Sequence, residues 1–264
     1  MEIGRDIACG MDCLSLKNNE MMQDDERLDD LQNNGLHVLQ KINGFRFGMD
    51  SVLLAHFARI KPGETVADMG TGSAVLPILL SQAEKTARFH AFEWQQDIAA
   101  MAERSVRLNH LENRICVHDA DLRTADQLIG KASTHVVVCN PPYGKRDTII
   151  PSQSENKRLS RHETTCEISE IIAASSAILK NQGRIYMVFP SHRMLELFDN
   201  MRTYHLEPKR LRMVCGKASK APYLLLVEGI KNARPMLHWQ PPLIVHHEDG
   251  TETEEIKLIY AAKP

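Results

Sequence analysis

The chain has 264 residues, of which 43% are hydrophobic, and carries 32 lysines and arginines against 34 aspartates and glutamates. That length can bury one large α/β core, and a net charge of −2 gives no bulk attraction to a polyanion, so any nucleic-acid binding must come from local clusters. No apolar run reaches the roughly 20 residues a bilayer span needs, and Glu2 and Asp6 stand where a secretory leader carries positive charge; a cytoplasmic protein is expected.

Residues 1–32 are polar, include the acidic stretch Asp24-Asp25-Glu26-Arg27-Leu28-Asp29-Asp30, and show no sustained apolar periodicity, which reads as a loose leader before one domain over 33–264. Within that domain, residues 36–40 and 45–47 flank Asn43-Gly44 and predict a hairpin. A helix follows, with Asp50 or Ser51 as its cap and Val52, Leu53, Leu54, His56 and Phe57 as its packing face, before Lys61-Pro62-Gly63 stops it. Residues 33–62 thus form an N-terminal hairpin and helix.

Strands are then expected at 65–69, 88–93, 114–118, 134–139 and 184–189, alternating with helices at 74–83, 95–109, 122–130, 166–180 and 191–203. Such alternation is what a parallel sheet covered on both faces requires. Two later runs, 209–214 and 223–229, are joined by a turn at Gly216 too short for a crossover helix and predict an antiparallel pair. In the extension 231–264, residues 243–245 and 256–260 are expected to form a small outer hairpin. Of the six cysteines, Cys116 and Cys139 lie in strand-like apolar runs and are read as buried thiols, while Cys9 and Cys13 make a lone C-x3-C with no second pair. No metal is expected.

The first strand of the alternation ends in Asp68-Met69-Gly70-Thr71-Gly72, just before an apolar helix. Glycines at a strand-to-helix turn let backbone approach a ligand closely. A dinucleotide fingerprint would place Gly or Ala three positions beyond Gly72, where Val75 stands. The acidic Asp68 instead suits a ligand with a cationic amino group and no phosphate, as in S-adenosyl-L-methionine. Glu93 closes the next strand, where a carboxylate can accept ribose hydroxyls, and Trp94 is placed to lie against an adenine or simply to pack. The third strand leads into Asp119 and Asp121, either of which can accept the adenine amino group or cap a helix; position favours Asp121.

The sharpest motif is Asn140-Pro141-Pro142-Tyr143 after Val136-Val137-Val138-Cys139. An exocyclic amino nitrogen is a poor nucleophile because its lone pair is delocalised into the ring. The Asn140 side-chain oxygen and the Pro141 carbonyl can each accept one of its N–H groups, turning the lone pair toward an electrophilic methyl and stabilising the charge that develops on nitrogen. Pro141 and Pro142 stiffen the loop, and Tyr143 offers a stacking face worth about 1–3 kcal/mol to a base. The long segment after it carries Lys145, Arg146, Lys157, Arg158, Arg161 and His162, and reads as a lid or substrate arm whose basic groups grip RNA phosphates. Lys209, Arg210, Arg212, Lys217 and Lys220 are expected to extend that surface.

These two motifs resemble the amino-methylating class I methyltransferases. With Phe47-Gly48-Met49-Asp50-Ser51-Val52-Leu53-Leu54, Arg161-His162-Glu163 and Glu207-Pro208-Lys209-Arg210-Leu211-Arg212, the chain is similar, from about Gly35 to its end, to the bacterial tRNA1(Val) adenine-N6 methyltransferase family. The resemblance implies a Rossmann-like three-layer sandwich with a seven-stranded, mostly parallel sheet ending in an antiparallel hairpin. It also implies S-adenosylmethionine as cofactor, tRNA as partner and no metal. Lys145-Arg146 departs from the family pattern and bears on which tRNA is gripped. The runner-up reading is a glutamine N5-methyltransferase acting on a protein such as a release factor, disfavoured because no sizeable helical domain precedes the sheet. Amino methylation of rRNA guanine or DNA adenine comes next. A non-catalytic binding module would be expected to lack Asp68 or Asn140, and both are present.

Overall fold

The computed structural model describes residues 21–31, 35–43, 48–142 and 166–261. Strands β1 (Glu26–Asp30) and β2 (His37–Lys41) form a two-stranded antiparallel sheet. After helix α1 (Met49–Phe57) come β3 (Thr65–Met69), α2 (Val75–Ala83), β4 (Arg88–Glu93), α3 (Gln96–Leu108), β5 (Ile115–Asp119), α4 (Ala125–Ile129), β6 (Thr134–Cys139), α5 (Ile168–Ile178), β7 (Leu179–Pro190), α6 (Met194–Thr203), β8 (Leu206–Cys215), β9 (Pro222–Lys231), β10 (His238–Trp239), β11 (Leu243–Ile244) and α7 (Glu254–Ala261). Single 3-10 turns precede α4 and α6.

The main sheet runs β10-β8-β9-β7-β6-β3-β4-β5, with β11 also paired to β8. Pairing is parallel from β5 through β7; β9 is antiparallel to both β7 and β8, and β10 and β11 extend β8 in parallel. The seven expected strands are therefore present with their antiparallel pair, and two short strands widen the sheet to nine.

Alternate residues of a strand face opposite ways, so each strand feeds two cores. Val66, Val136 and Val138 pack toward α1, α2 and α3, whereas Ala67, Met69, Val137 and Cys139 pack toward α4, α5 and α6. This two-sided burial is why β3 and β6 read as near-continuous apolar runs.

Several expectations are corrected. The leader reading missed β1: Glu26–Asp30 pairs with β2, and the expected partner 45–47 lies in residues 44–47, outside those described. An acidic stretch becomes a strand because its inward carboxylate is matched. Glu26 is buried, and both of its oxygens receive Arg104 of α3 at 2.7 Å, with the Gln23 amide at 3.0 Å and Lys41 at 3.2 Å. Burial alone would raise its pKa; the Arg104, Gln23 and Lys41 contacts bring it below the usual glutamate value. Gly48, not Asp50 or Ser51, caps α1, and His56 on that helix is exposed. Residues 256–260 are helical within α7 rather than the second arm of a hairpin, because Ile256 and Ile259 recur at helical spacing and are both buried. Cys116 is exposed on the outermost strand, while Cys139 is buried as expected.

Candidate active site

The carboxyl ends of β3, β4, β5 and β6 meet at one edge, where open α/β sheets bind ligands. Asp68 ends up 1% exposed there and accepts the Thr71 hydroxyl at 2.6 Å through Oδ2. Its Oδ1 is buried with no hydrogen-bond partner. Burial, with the Glu93 charge adding to it, pushes the Asp68 pKa up to about 7 despite the Thr71 bond.

The glycine turn is tied to β4 from the other side. Gly70 and Thr71 donate their amides to the Phe92 carbonyl at 3.1 and 2.8 Å. Gly72 donates to Glu93 Oε2 and Gln95 to Glu93 Oε1, both at 3.0 Å. Burial raises the Glu93 pKa above its ordinary value, against those amide bonds. Gly70 and Gly72 adopt φ of +83° and +55°, and a β-carbon at either would meet nothing within 4 Å. Open space therefore faces a turn whose floor holds an unpaired buried carboxylate oxygen, a setting that fits a ligand carrying a cationic amino group.

Trp94 follows Glu93 and is 45% exposed. Asp119 sits opposite Glu93 in the β4–β5 register and is exposed. Asp121 caps the 3-10 turn before α4 and pairs with Arg123, which holds its carboxyl below the usual range and also reaches Glu170 at 3.0 Å. The capping role foreseen for one of these two aspartates thus falls on Asp121.

On the other flank, the β3–β6 register pairs Asp68 with Val138, so Asn140 follows β6 as Gly70 follows β3. The buried Cys139 thiol donates to the Met69 carbonyl at 3.0 Å and staples the two strand ends together. Asn140 Nδ2 donates to the Ser51 hydroxyl on α1 at 3.0 Å; Pro141 is buried and Pro142 exposed. Ser51 was not singled out as a site residue, because no local pattern in its helix distinguishes a buried serine that packs from one that orients a distant amide. Tyr143, Lys145, Arg146, Lys157, Arg158, Arg161 and His162 lie outside the described residues.

Of the basic residues expected to extend that surface, Arg210 and Arg212 are turned to internal partners, whereas Lys220 is exposed. Arg210 bonds Glu228 at 2.6 Å and the Phe57 carbonyl at 2.9 Å, and lies 3.8 Å over the Phe57 ring. Arg212 is matched by Glu255 at 2.7 Å, Lys209 donates to the Arg234 carbonyl and Lys217 to the Glu248 carbonyl. The two arginines serve internal pairing of β8 with its neighbours, a use that spacing along the chain does not reveal.

A parallel sheet with one inserted antiparallel strand and a glycine-turn pocket beside an Asn-Pro-Pro loop defines a class I methyltransferase. The model of the methyltransferase small domain family matches residues 48–207. A Porphyromonas gingivalis W83 protein named tRNA1(Val) (adenine(37)-N6)-methyltransferase is 30% identical over 193 residues, covering 69% of this chain and 73% of the relative. A Haemophilus influenzae protein of the same name is 25% identical over 223 residues, covering 83% and 90%. Among solved structures, a predicted O-methyltransferase, Atu636 of Agrobacterium tumefaciens, superposes with a TM-score of 0.67 at 20% identity over 81% of this chain and 96% of its own. The chain belongs to the methyltransferase small domain family and, within it, to the family of the tRNA1(Val) adenine-N6 enzymes.

Proposed function

We propose that the protein transfers the methyl group of S-adenosylmethionine to the N6 amino nitrogen of an adenine in tRNA, in the anticodon loop of a valine tRNA as the names of its relatives suggest, and that it works in the cytoplasm. The observation that carries this reading is the adjacency of the Asn140-Pro141 turn to the open glycine cradle, tied through the Cys139 to Met69 bond. Bound cofactor supplies an electrophilic methyl carbon on sulfur.

Asp68 receives the cofactor's cationic amino end, Gly70, Thr71 and Gly72 line its path, and Glu93 accepts the ribose hydroxyls while keeping its two amide donors. Trp94 and Asp121 flank the adenine of the cofactor, Asp121 sharing its carboxylate with Arg123. The Asn140 side-chain oxygen and the Pro141 carbonyl accept the two N–H groups of the target amine, with Pro142 stiffening the turn and Tyr143 stacking on the flipped base. Lys145, Arg146, Arg158, Arg161 and His162 grip the RNA backbone. No described helix is long and apolar enough to cross a membrane.

The deciding experiment incubates the protein with labelled cofactor and tRNA from a strain lacking the gene, with release factor and duplex DNA in parallel arms. Label in tRNA, recovered as N6-methyladenosine after digestion, is expected. Label only in release factor would replace this reading with glutamine methylation.

A further inference from the structure

Residues two apart on neighbouring strands share a face, and on the outermost strand pair β4–β5 this rule assembles an unusual set. His90 stands opposite Cys116 and Phe92 opposite His118. All four project from the sheet face that α4 and α5 cover further in, where Phe92 joins Ala125, Ile171 and Ile172 in the core. One ring nitrogen from each histidine and the Cys116 sulfur lie within 4.8 Å of one another. His90 Nδ1 and His118 Nε2 are 3.0 Å apart, and the His118 ring stacks on Phe92 at 4.7 Å.

We propose that His90, Cys116 and His118 form a binding site for a divalent ion of the zinc class, separate from the methyl-transfer site, with solvent as the fourth ligand. Two imidazoles and one thiolate are the donor set that borderline ions such as Zn2+ prefer. Zinc with nitrogens at about 2.0–2.1 Å and sulfur at about 2.3 Å in a tetrahedron needs nitrogens roughly 3.3 Å apart and sulfur roughly 3.6 Å from each. The cluster therefore reaches ligation by widening the nitrogen pair slightly, turning the rings and drawing the sulfur in.

A hydrogen bond between two neutral histidines accounts for the 3.0 Å contact without an ion. It does not involve the thiol, which makes a long contact of 4.0 Å to the Val117 carbonyl. Cys116 is exposed and gives the ion a way in, while Phe92 supplies an apolar wall. An ion held here ties the outer strand β5 to β4 only a few residues before Glu93 and Asp119, so occupancy should raise the melting temperature.

The test titrates Co2+ into chelator-treated, reduced full-length protein. A thiolate-to-cobalt charge-transfer band with the intense visible bands of four-coordinate cobalt, saturating at one equivalent and displaced by Zn2+, is expected. Cys116→Ser should abolish the charge-transfer band and weaken binding at least tenfold, and His118→Asn should weaken it comparably, both with unchanged far-ultraviolet circular dichroism. A double variant Cys9→Ser/Cys13→Ser should retain the full signal. Absence of the band in the wild-type protein, an unchanged band in Cys116→Ser, or its loss in the Cys9/Cys13 variant would each overturn the proposal.

Discussion

The side-chain amide of Asn140 donates across 3.0 Å to the hydroxyl of Ser51, a residue 89 positions earlier on a different element. In this arrangement Nδ2 faces the Ser51 hydroxyl, and under the proposed mechanism Oδ1 is the acceptor for the target amine. On that mechanism Ser51 acts as a positioning residue. Ser51→Ala should lower kcat about tenfold to hundredfold, the equivalent of one lost hydrogen bond of roughly 1–3 kcal/mol, with little change in cofactor affinity. Ser51→Thr should recover much of the rate. Steady-state kinetics beside a cofactor thermal-shift assay separates these outcomes; a large loss of cofactor affinity in the alanine variant would show that Ser51 supports the pocket instead.

Gly70 tests whether the open space is the cofactor's. Because its φ is +83° and a β-carbon would touch nothing, Gly70→Ala should cost the free protein only the backbone penalty, about 1–2 kcal/mol. Binding of S-adenosylmethionine should fall by far more, about a hundredfold or beyond. Denaturant melts and calorimetric titration of the same preparation measure both; unimpaired binding would place the cofactor elsewhere.

Asp68 predicts a pH dependence with a definite sign. Its pKa is raised from 3.8 to about 7 in the folded chain, so the folded state holds an extra proton between these values. The free protein should therefore lose stability as pH rises through that window. Pairing with the cofactor's amino group favours the ionised carboxylate, so affinity should fall below pH 7, by up to about tenfold per pH unit. Asp68→Asn should flatten the affinity profile at a weaker level. An equally steep profile in the variant would assign the titration to another group, with Glu93 the first to examine.

The Glu26 to Arg104 pair predicts that the N-terminal hairpin is part of the folding unit. Arg104→Ala leaves a buried carboxylate with only Lys41 and one amide, and should destabilise the protein by about 3 kcal/mol. Arg104→Ala with Glu26→Gln should recover part of that loss. The measurement is urea unfolding of the two variants against wild type; a single-variant effect under half a kcal/mol would mean that the hairpin docks weakly.

Most of the sheet, and the turn motifs at its carboxyl edge, are legible in the sequence. Strands 65–69, 88–93 and 134–139 match β3, β4 and β6 residue for residue, since buried parallel strands are written as short apolar runs closed by turn chemistry. The motifs at Asp68–Gly72 and Asn140–Pro142 were readable because their residue types carry backbone consequences, left-handed φ for Gly70 and Gly72 and a stiffened turn for Pro141 and Pro142. Strand β1 was not, because its apolar content is a single leucine and its stability comes from Arg104, 78 residues away. Nor was the outward turn of Cys116, since an edge strand and an inner strand share the same alternation and only the sheet order makes β5 outermost.

By itself, then, the chain's local pattern determined the order of the strands from β3 to β9 and the glycine and Asn-Pro-Pro turns at the sheet edge, because spacing and backbone preference act over a few residues. Which side chains meet across long separations was decided only by the tertiary structure: Ser51 with Asn140, Glu26 with Arg104, Glu228 with Arg210, and His90 with Cys116 and His118. Those contacts depend on strand order, register and helix docking, and these are set by burial summed over the whole sheet rather than by any single stretch of residues.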